Sequence, residues 1–157
     1  MNIGREELEK AVRLYSDIMF RCAYAYCPNK EDSQDIVQEV FVKYLKKQPS
    51  FNDEEHRKAW LLRVTINLAK DYAGSFSRRH RGELHEWQGV ASDDTKSCEI
   101  WDMVQSLPAK YRIVIELYYH EGMTIEEISQ AVGAARSTIG DRLAKARELL
   151  KKMYGEE

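Results

Sequence analysis

Long apolar runs are missing from this 157-residue chain, and no stretch approaches the roughly 20 residues of a bilayer-spanning helix. Its first residues, Met1-Asn2-Ile3-Gly4-Arg5-Glu6-Glu7, are polar and charged and hold no apolar signal core. A cytoplasmic protein with no direct membrane insertion is therefore expected. Cysteine is scarce as well. Cys22, Cys27 and Cys98 are odd in number and lack CxxC spacing, which argues against a zinc site. Cys22 falls on an apolar helical stripe and reads as a buried free thiol. His56, His80, His85 and His120 show no metal-ligand spacing, and nothing matches a Gly-rich phosphate loop or a nucleophile elbow. No metal, no cofactor and no small-molecule substrate are expected.

A large excess of one charge is absent too, since the net charge is −2. Its distribution says more than its total. Counting Lys and Arg against Asp and Glu, residues 1–82 carry +3, 83–99 carry −4 and 100–157 carry −1. The positive charge gathers further, at 70–81 and at 142–152, so an acidic segment separates two basic patches. Hydrophobic residues make up 43% and charged residues 32%, the balance of a folded chain with a charged surface rather than a disordered one.

What is present reads as all-α, with two small helical domains joined by a linker. Leu8, Val12, Tyr15, Met19, Cys22 and Tyr26 recur at spacings of four and three and lay an apolar stripe along a first helix. Pro28 and Asn29 interrupt it, and Asn29 is placed to cap a second helix with Asp32 three residues on. That helix carries Ile36, Val37, Val40, Phe41, Tyr44 and Leu45 on one face. After a loop at 48–53, a long third helix from about residue 55 to about 79 would turn Trp60, Leu61, Val64, Leu68 and Tyr72 inward. Three such helices can share a core, which gives a first domain at 1–81. Residues 82–98 lose periodicity and read as an acidic flexible linker. Helicity resumes in a second domain at 99–157, with Pro108 near a helix start and Ile113, Val114, Leu117 and Tyr118 facing inward. Gly122 ends that helix.

Residues 124–150 carry the most specific local pattern. Thr124 and Glu127 have the spacing of a capping box, in which each side chain satisfies a backbone N–H at the helix start. Ile125, Ile128 and Val132 face inward. Gly133 sits where a helix-turn-helix turn needs a positive φ. A second helix then places Ile139, Leu143, Ala146, Leu149, Leu150 and Met153 inward. Its outer face offers Arg136, Ser137, Gly140, Asp141, Arg142 and Lys145. In such units the second helix enters the major groove of DNA.

With these segments placed, the chain resembles the sigma-70 family, and within it the compact extracytoplasmic-function (ECF) sigma factors that keep only regions 2 and 4. Three blocks carry the resemblance: Asp35-Ile36-Val37-Gln38-Glu39-Val40-Phe41; Ala59-Trp60-Leu61-Leu62-Arg63-Val64-Thr65-Ile66-Asn67-Leu68-Ala69-Lys70-Asp71-Tyr72; and Leu107-Pro108 with Tyr111-Arg112, running on through Arg147 and Leu150. The resemblance implies core RNA polymerase as a partner, met through its β′ clamp helices and β flap, together with promoter DNA and an anti-sigma factor. It implies polymerase docking by Asp35, Gln38, Glu39 and Lys43. On the residues alone this face is also what a solvated helix surface looks like; the resemblance gives it a partner.

The minus-ten element would be melted and held by Asn52, His56, Asn67, Lys70, Tyr72, Arg78, Arg79 and Arg81, where a basic groove meets hydrogen-bonding and stacking groups. Phe76 fits the same set, whereas Trp60 and Leu61 read as core. The minus-thirty-five duplex would be read by Thr124, Arg136, Ser137, Gly140, Asp141, Arg142 and Lys145, with Arg147 at a phosphate or packed near one. The recognition helix departs from the family, which often has a basic residue where this chain has Gly140. Asp141 repels phosphate yet can accept from cytosine N4. Two other readings stay open: a stand-alone helix-turn-helix regulator, and a sigma-like module without productive DNA recognition. An enzyme built on Glu54 and Glu55, or on Glu126 and Glu127, fits poorly, because acidic pairs at helix starts answer the helix dipole.

Overall fold

The computed structural model describes residues 4–79 and 95–155, with side chains over 4–75 and 100–155. The side chains of Phe76, Arg78, Arg79 and Cys98, and all of Arg81, Trp87 and most of the expected linker, lie outside it. The chain divides into two compact units, Met1–Gly82 and Glu83–Glu157. Every regular element among the described residues is helical.

In the first unit α1 (Arg5–Tyr26), α2 (Lys30–Lys47) and α3 (Glu54–Arg79) pack pairwise around one core. Asn29 caps α2 as its position predicts, its Oδ1 accepting from the Asp32 N–H at 2.9 Å. Gln48 ends α2 in the left-handed region at φ +46°, where a residue other than glycine is uncommon. The core is rotated from the simple stripe reading. Along α1 the buried residues are Ala11, Tyr15, Ile18, Met19, Cys22, Ala23, Tyr24 and Ala25, while Val12 is 40% exposed. On α2, Leu45 is exposed although Ile36, Val40, Phe41 and Tyr44 are buried as expected. In α3 Leu61, Leu62, Thr65, Ile66 and Ala69 are buried, and Trp60, Val64, Leu68 and Tyr72 only partly. With α1 and α2 both packed on α3, the small Thr65 and Ala69 are fully buried beside the larger Leu61, Leu62 and Ile66. Thr65 meets its polar need locally, its Oγ1 donating to the Leu61 carbonyl at 2.6 Å.

One tie in this unit predicts a pH effect. Tyr15 is 8% exposed and its hydroxyl donates to Glu54 Oε2 at 2.7 Å. Burial first, and then this bond, push its pKa from the usual 10 up to about 12. Burial, then Asp32, push the Cys27 thiol up to about 11. Both groups are neutral when protonated, and the folded chain holds these protons more tightly than the unfolded one. Their stabilisation is full below the unfolded pKa values and is lost as pH climbs through the folded ones. Thermal unfolding should therefore move down between about pH 9 and pH 12, and Tyr15 alone is worth about 2–3 kcal/mol of that loss. Tyr15→Phe should flatten the fall above pH 10, the ordinary tyrosine value; an unchanged slope would show that Tyr15 does not carry it.

The second unit holds α4 (Thr95–Gln105), α5 (Ala109–Ile115), a π-helical turn (Glu116–His120), α6 (Ile125–Val132) and α7 (Arg136–Gly155). Pro108 stands immediately before α5, its carbonyl accepting from Tyr111 and Arg112. The π-helical turn continues α5 and was not legible in the periodicity; Glu121 N–H reaches the Glu116 carbonyl at 3.1 Å. Gly122 follows at φ +67° and ends the segment. Ile113, Val114, Leu117, Ile128, Val132, Ile139, Leu143 and Ala146 form the core. Leu149 and Leu150 are half-buried and Met153 is exposed, so the inward stripe of α7 fades towards its end.

Candidate functional site

Three surfaces gather the residues that the sequence singles out. The first is the polar face of α2. With Ile36, Val40 and Tyr44 buried beneath it, Asp35 and Gln38 stand exposed, and Glu39 and Lys43 are half-buried. Tyr72 joins this face. Its hydroxyl crosses from α3 and donates to Glu39 Oε2 at 3.3 Å. Burial raises the Tyr72 pKa, with Glu39, Asp35 and Asp32 adding to the shift. Tyr72, one of the residues expected at the minus-ten element, thus has its hydroxyl bonded at the edge of this acidic surface.

The second surface joins the α2–α3 loop to α3. Phe51 stacks near Tyr44 (6.2 Å between centroids), meets Trp60 (6.0 Å) and takes the His56 ring edge-on (5.2 Å). The Arg57 guanidinium lies over Phe51 at 5.1 Å and over Tyr44 at 5.9 Å. It also pairs with Glu7 at 2.8 Å and Glu54 at 3.3 Å, and donates to the Tyr44 hydroxyl. Asp53 caps α3, its Oδ1 accepting from the His56 N–H at 2.8 Å, and the Asn52 N–H donates to His56 Nδ1 at 3.2 Å. That last bond needs an unprotonated Nδ1. Asn52 on the loop and His56 in the first turn of α3 are thus exposed polar tips on a segment pinned from behind.

Along α3, Asn67 and Lys70 share one exposed side, with Lys70 Nζ 5.5 Å over the Tyr26 ring. Arg63 and Gly74 are exposed at the same helical spacing, four residues before Asn67 and four after Lys70. Counting in threes and fours back from Asn67 could have found Arg63. Arg57 stands outside the residues the sequence singles out: Glu54 lies within helical reach of it, but Glu7 and Tyr44 come from other helices.

The third surface is the helix-turn-helix. The capping box is complete: the Glu127 N–H donates to Thr124 Oγ1 and the Thr124 N–H to Glu127 Oε1, both at 3.1 Å. Accepting that bond leaves the Thr124 hydroxyl proton to donate outward. Gly133 adopts φ +78°, as the turn requires. Ser129 Oγ locks the turn by donating to the Ala134 carbonyl at 2.6 Å. On α7, Arg136, Ser137, Asp141 and Lys145 are exposed, while Gly140 and Arg142 are half-buried. A Cβ at Gly140 would meet nothing within 4 Å, so no packing inside this chain demands glycine there.

The cations of this unit are largely engaged by neighbours. Arg136 Nε lies 3.2 Å from Glu126, and Lys145 Nζ 3.8 Å from Glu148. Arg147 donates to the Tyr119 hydroxyl at 2.6 Å and covers the Tyr118 and Tyr119 rings. Glu116, His120 and Glu121 bring ligand-type atoms within 4.8 Å of one another, at the end of the π-helical turn. His120 Nδ1 already faces Glu116 at 3.2 Å and its ring leans on Trp101.

Comparison with known proteins gives these surfaces a common frame. The chain matches the family model for Sigma-70 region 2 over residues 11–80 and that for Sigma-70, region 4 over residues 99–150. It is 27% identical over 135 residues to the RNA polymerase sigma factor SigV of Bacillus subtilis, covering 84% of this chain and 81% of that one. To the ECF RNA polymerase sigma factor SigE of Mycolicibacterium smegmatis it is 26% identical over 154 residues, 91% of this chain and 60% of the longer relative. Its fold is similar to that of the sigma factor RpoE from Bartonella quintana, solved in complex with the anti-sigma factor NepR. There the TM-score is 0.74 at 21% identity, over 97% of this chain and 99% of that one. The two family models lie in order along most of the sequence, and the chain belongs to the sigma-70 family of RNA polymerase sigma factors, in its ECF type with regions 2 and 4.

Proposed function

We propose that this chain is a promoter-specificity subunit, which binds core RNA polymerase, recognises two promoter elements and promotes opening of the DNA. The observation that carries this reading is the pairing of an acidic α2 face in one unit with a capped, Gly-turned helix-turn-helix in the other. A repressor-type regulator has use for the second alone. In this reading Asp35, Gln38, Glu39 and Lys43 dock on the polymerase. Asn52, His56, Asn67, Lys70 and Tyr72, with Arg78, Arg79 and Arg81 after them in the sequence, hold the opened minus-ten strand. The exposed face of α7, from Arg136 to Lys145, meets the minus-thirty-five duplex, with Thr124 placed at a phosphate.

The subunit performs no covalent chemistry of its own. Among the described residues no helix is long and apolar enough to cross a membrane, and the proposed site of action is the cytoplasm, beside the polymerase. An anti-sigma factor is the proposed inhibitor. Reconstitution with core polymerase on a random promoter library tests the reading. Initiation should concentrate on sequences sharing two spaced elements. Core binding without selective initiation would sink it.

A further inference from the structure

We propose that Glu126 is a positioning residue that gives Arg136 its base selectivity, holding the guanidinium for the paired acceptors of a guanine in the major groove. The inference rests on the reading of α7 as the helix that meets duplex DNA. Glu126 stands in the first turn of α6, whose start is fixed by the capping box. Its carboxylate is held on both oxygens: Oε1 accepts from Gln130 Nε2 at 3.3 Å, and Oε2 lies 3.2 Å from Arg136 Nε. The Gly133 turn, locked by Ser129, sets the distance between the two helices at this point.

The ion pair is open to water, with side chains 74% exposed for Arg136 and 55% for Glu126. Pairs so exposed add little to stability, so orientation is what this one supplies. A guanidinium carries five N–H donors in a planar fork. With Nε turned to Glu126, the two terminal nitrogens project together on the far side. Such a pair matches guanine O6 and N7, the commonest specific contact in the major groove. Arg136 is in the first turn of α7, where a recognition helix meets base edges. One turn on, Gly140 has no side chain and open space above it, and Ser137 between them is small. A base pair can come close to the helix there.

An untethered arginine would instead swing to the phosphates, which attract it on any sequence. Glu126 cancels part of that attraction and fixes the direction of what remains. Removing it therefore has two signatures that a merely structural role lacks: base preference falls, and binding to the average duplex holds or tightens.

The test measures binding of the full chain to a duplex library at two salt concentrations, for the wild type, Glu126→Gln and Arg136→Lys. The wild type should prefer guanine at one position by roughly tenfold. Glu126→Gln should drop that preference to about threefold or less, with a salt slope steeper by up to about 0.9. Arg136→Lys, which cannot make the paired contact, should lose the preference too. Thermal unfolding of all three should coincide, since the pair is exposed. Guanine preference retained in Glu126→Gln would overturn the inference while leaving α7 as the DNA-reading helix. A wild type with no preference among duplexes would overturn that underlying reading, and this inference with it.

Discussion

Glu39→Lys should weaken association with core RNA polymerase by about 100-fold or more, because a like-charge contact in an interface costs several kcal/mol. The expectation follows from where Glu39 stands. It is half-buried on the α2 face between Asp35 and Lys43, close enough to α3 to accept the Tyr72 hydroxyl at 3.3 Å. That bond holds the carboxylate in one direction before any partner arrives. Folding should survive the exchange, since a lysine at 39 gains Asp35 one turn earlier as an ion-pair partner. Duplex binding by the full chain should be unchanged, because α6 and α7 belong to the other compact unit. Tyr72→Phe provides the graded companion. It removes one hydrogen bond to a charged group, so a loss of about fivefold in core binding is expected. Polymerase binding by Glu39→Lys within threefold of wild type would remove the α2 face from the docking surface.

Arg57→Met should lower stability by about 2–3 kcal/mol and the melting temperature by on the order of 10–20 °C. Arg57 is 16% exposed and ties α1, α2 and the start of α3 through Glu7, the Tyr44 hydroxyl and Glu54. Methionine keeps the apolar stem but leaves those acceptors without their donor, and removing one member of a desolvated pair is costly. The figure sits below that for a fully buried pair because Glu7 and Glu54 are nearly half exposed. Arg57 also covers Phe51, so its loss should loosen the loop and helix start that present Asn52 and His56. The functional correlate is a weaker preference among unpaired minus-ten strands, with duplex binding unaffected. Arg57→Lys should fall between, since an ammonium keeps charge but not the planar stack over two rings. A melting temperature for Arg57→Met within about 3 °C of wild type would show that the hub carries little of the stability.

Much of this molecule is local and therefore readable. The Asn29 cap, the Thr124–Glu127 box and the Gly133 turn each depend on groups within four residues of one another, and each takes the geometry its spacing predicts. The two helical regions follow from composition and period alone. The faces of the helices are a different matter. An apolar stripe on α3 wide enough to include Trp60, Val64 and Leu68 admits several rotations, and only the joint pressure of α1 and α2 selects Leu62, Thr65, Ile66 and Ala69 for the centre.

The same division runs through the candidate sites. The sequence by itself determined an all-helical chain, a helix-turn-helix and a polar α2 face, because periodicity and capping act over a few residues. Tertiary structure decided that Tyr72 reaches Glu39, that Arg57 pins Phe51, and that Arg136 answers to Glu126 across the Gly133 turn. In each case a side chain is fixed by a partner on a different element. Contacts of that kind depend on how helices cross and rotate, which no short-range pattern encodes.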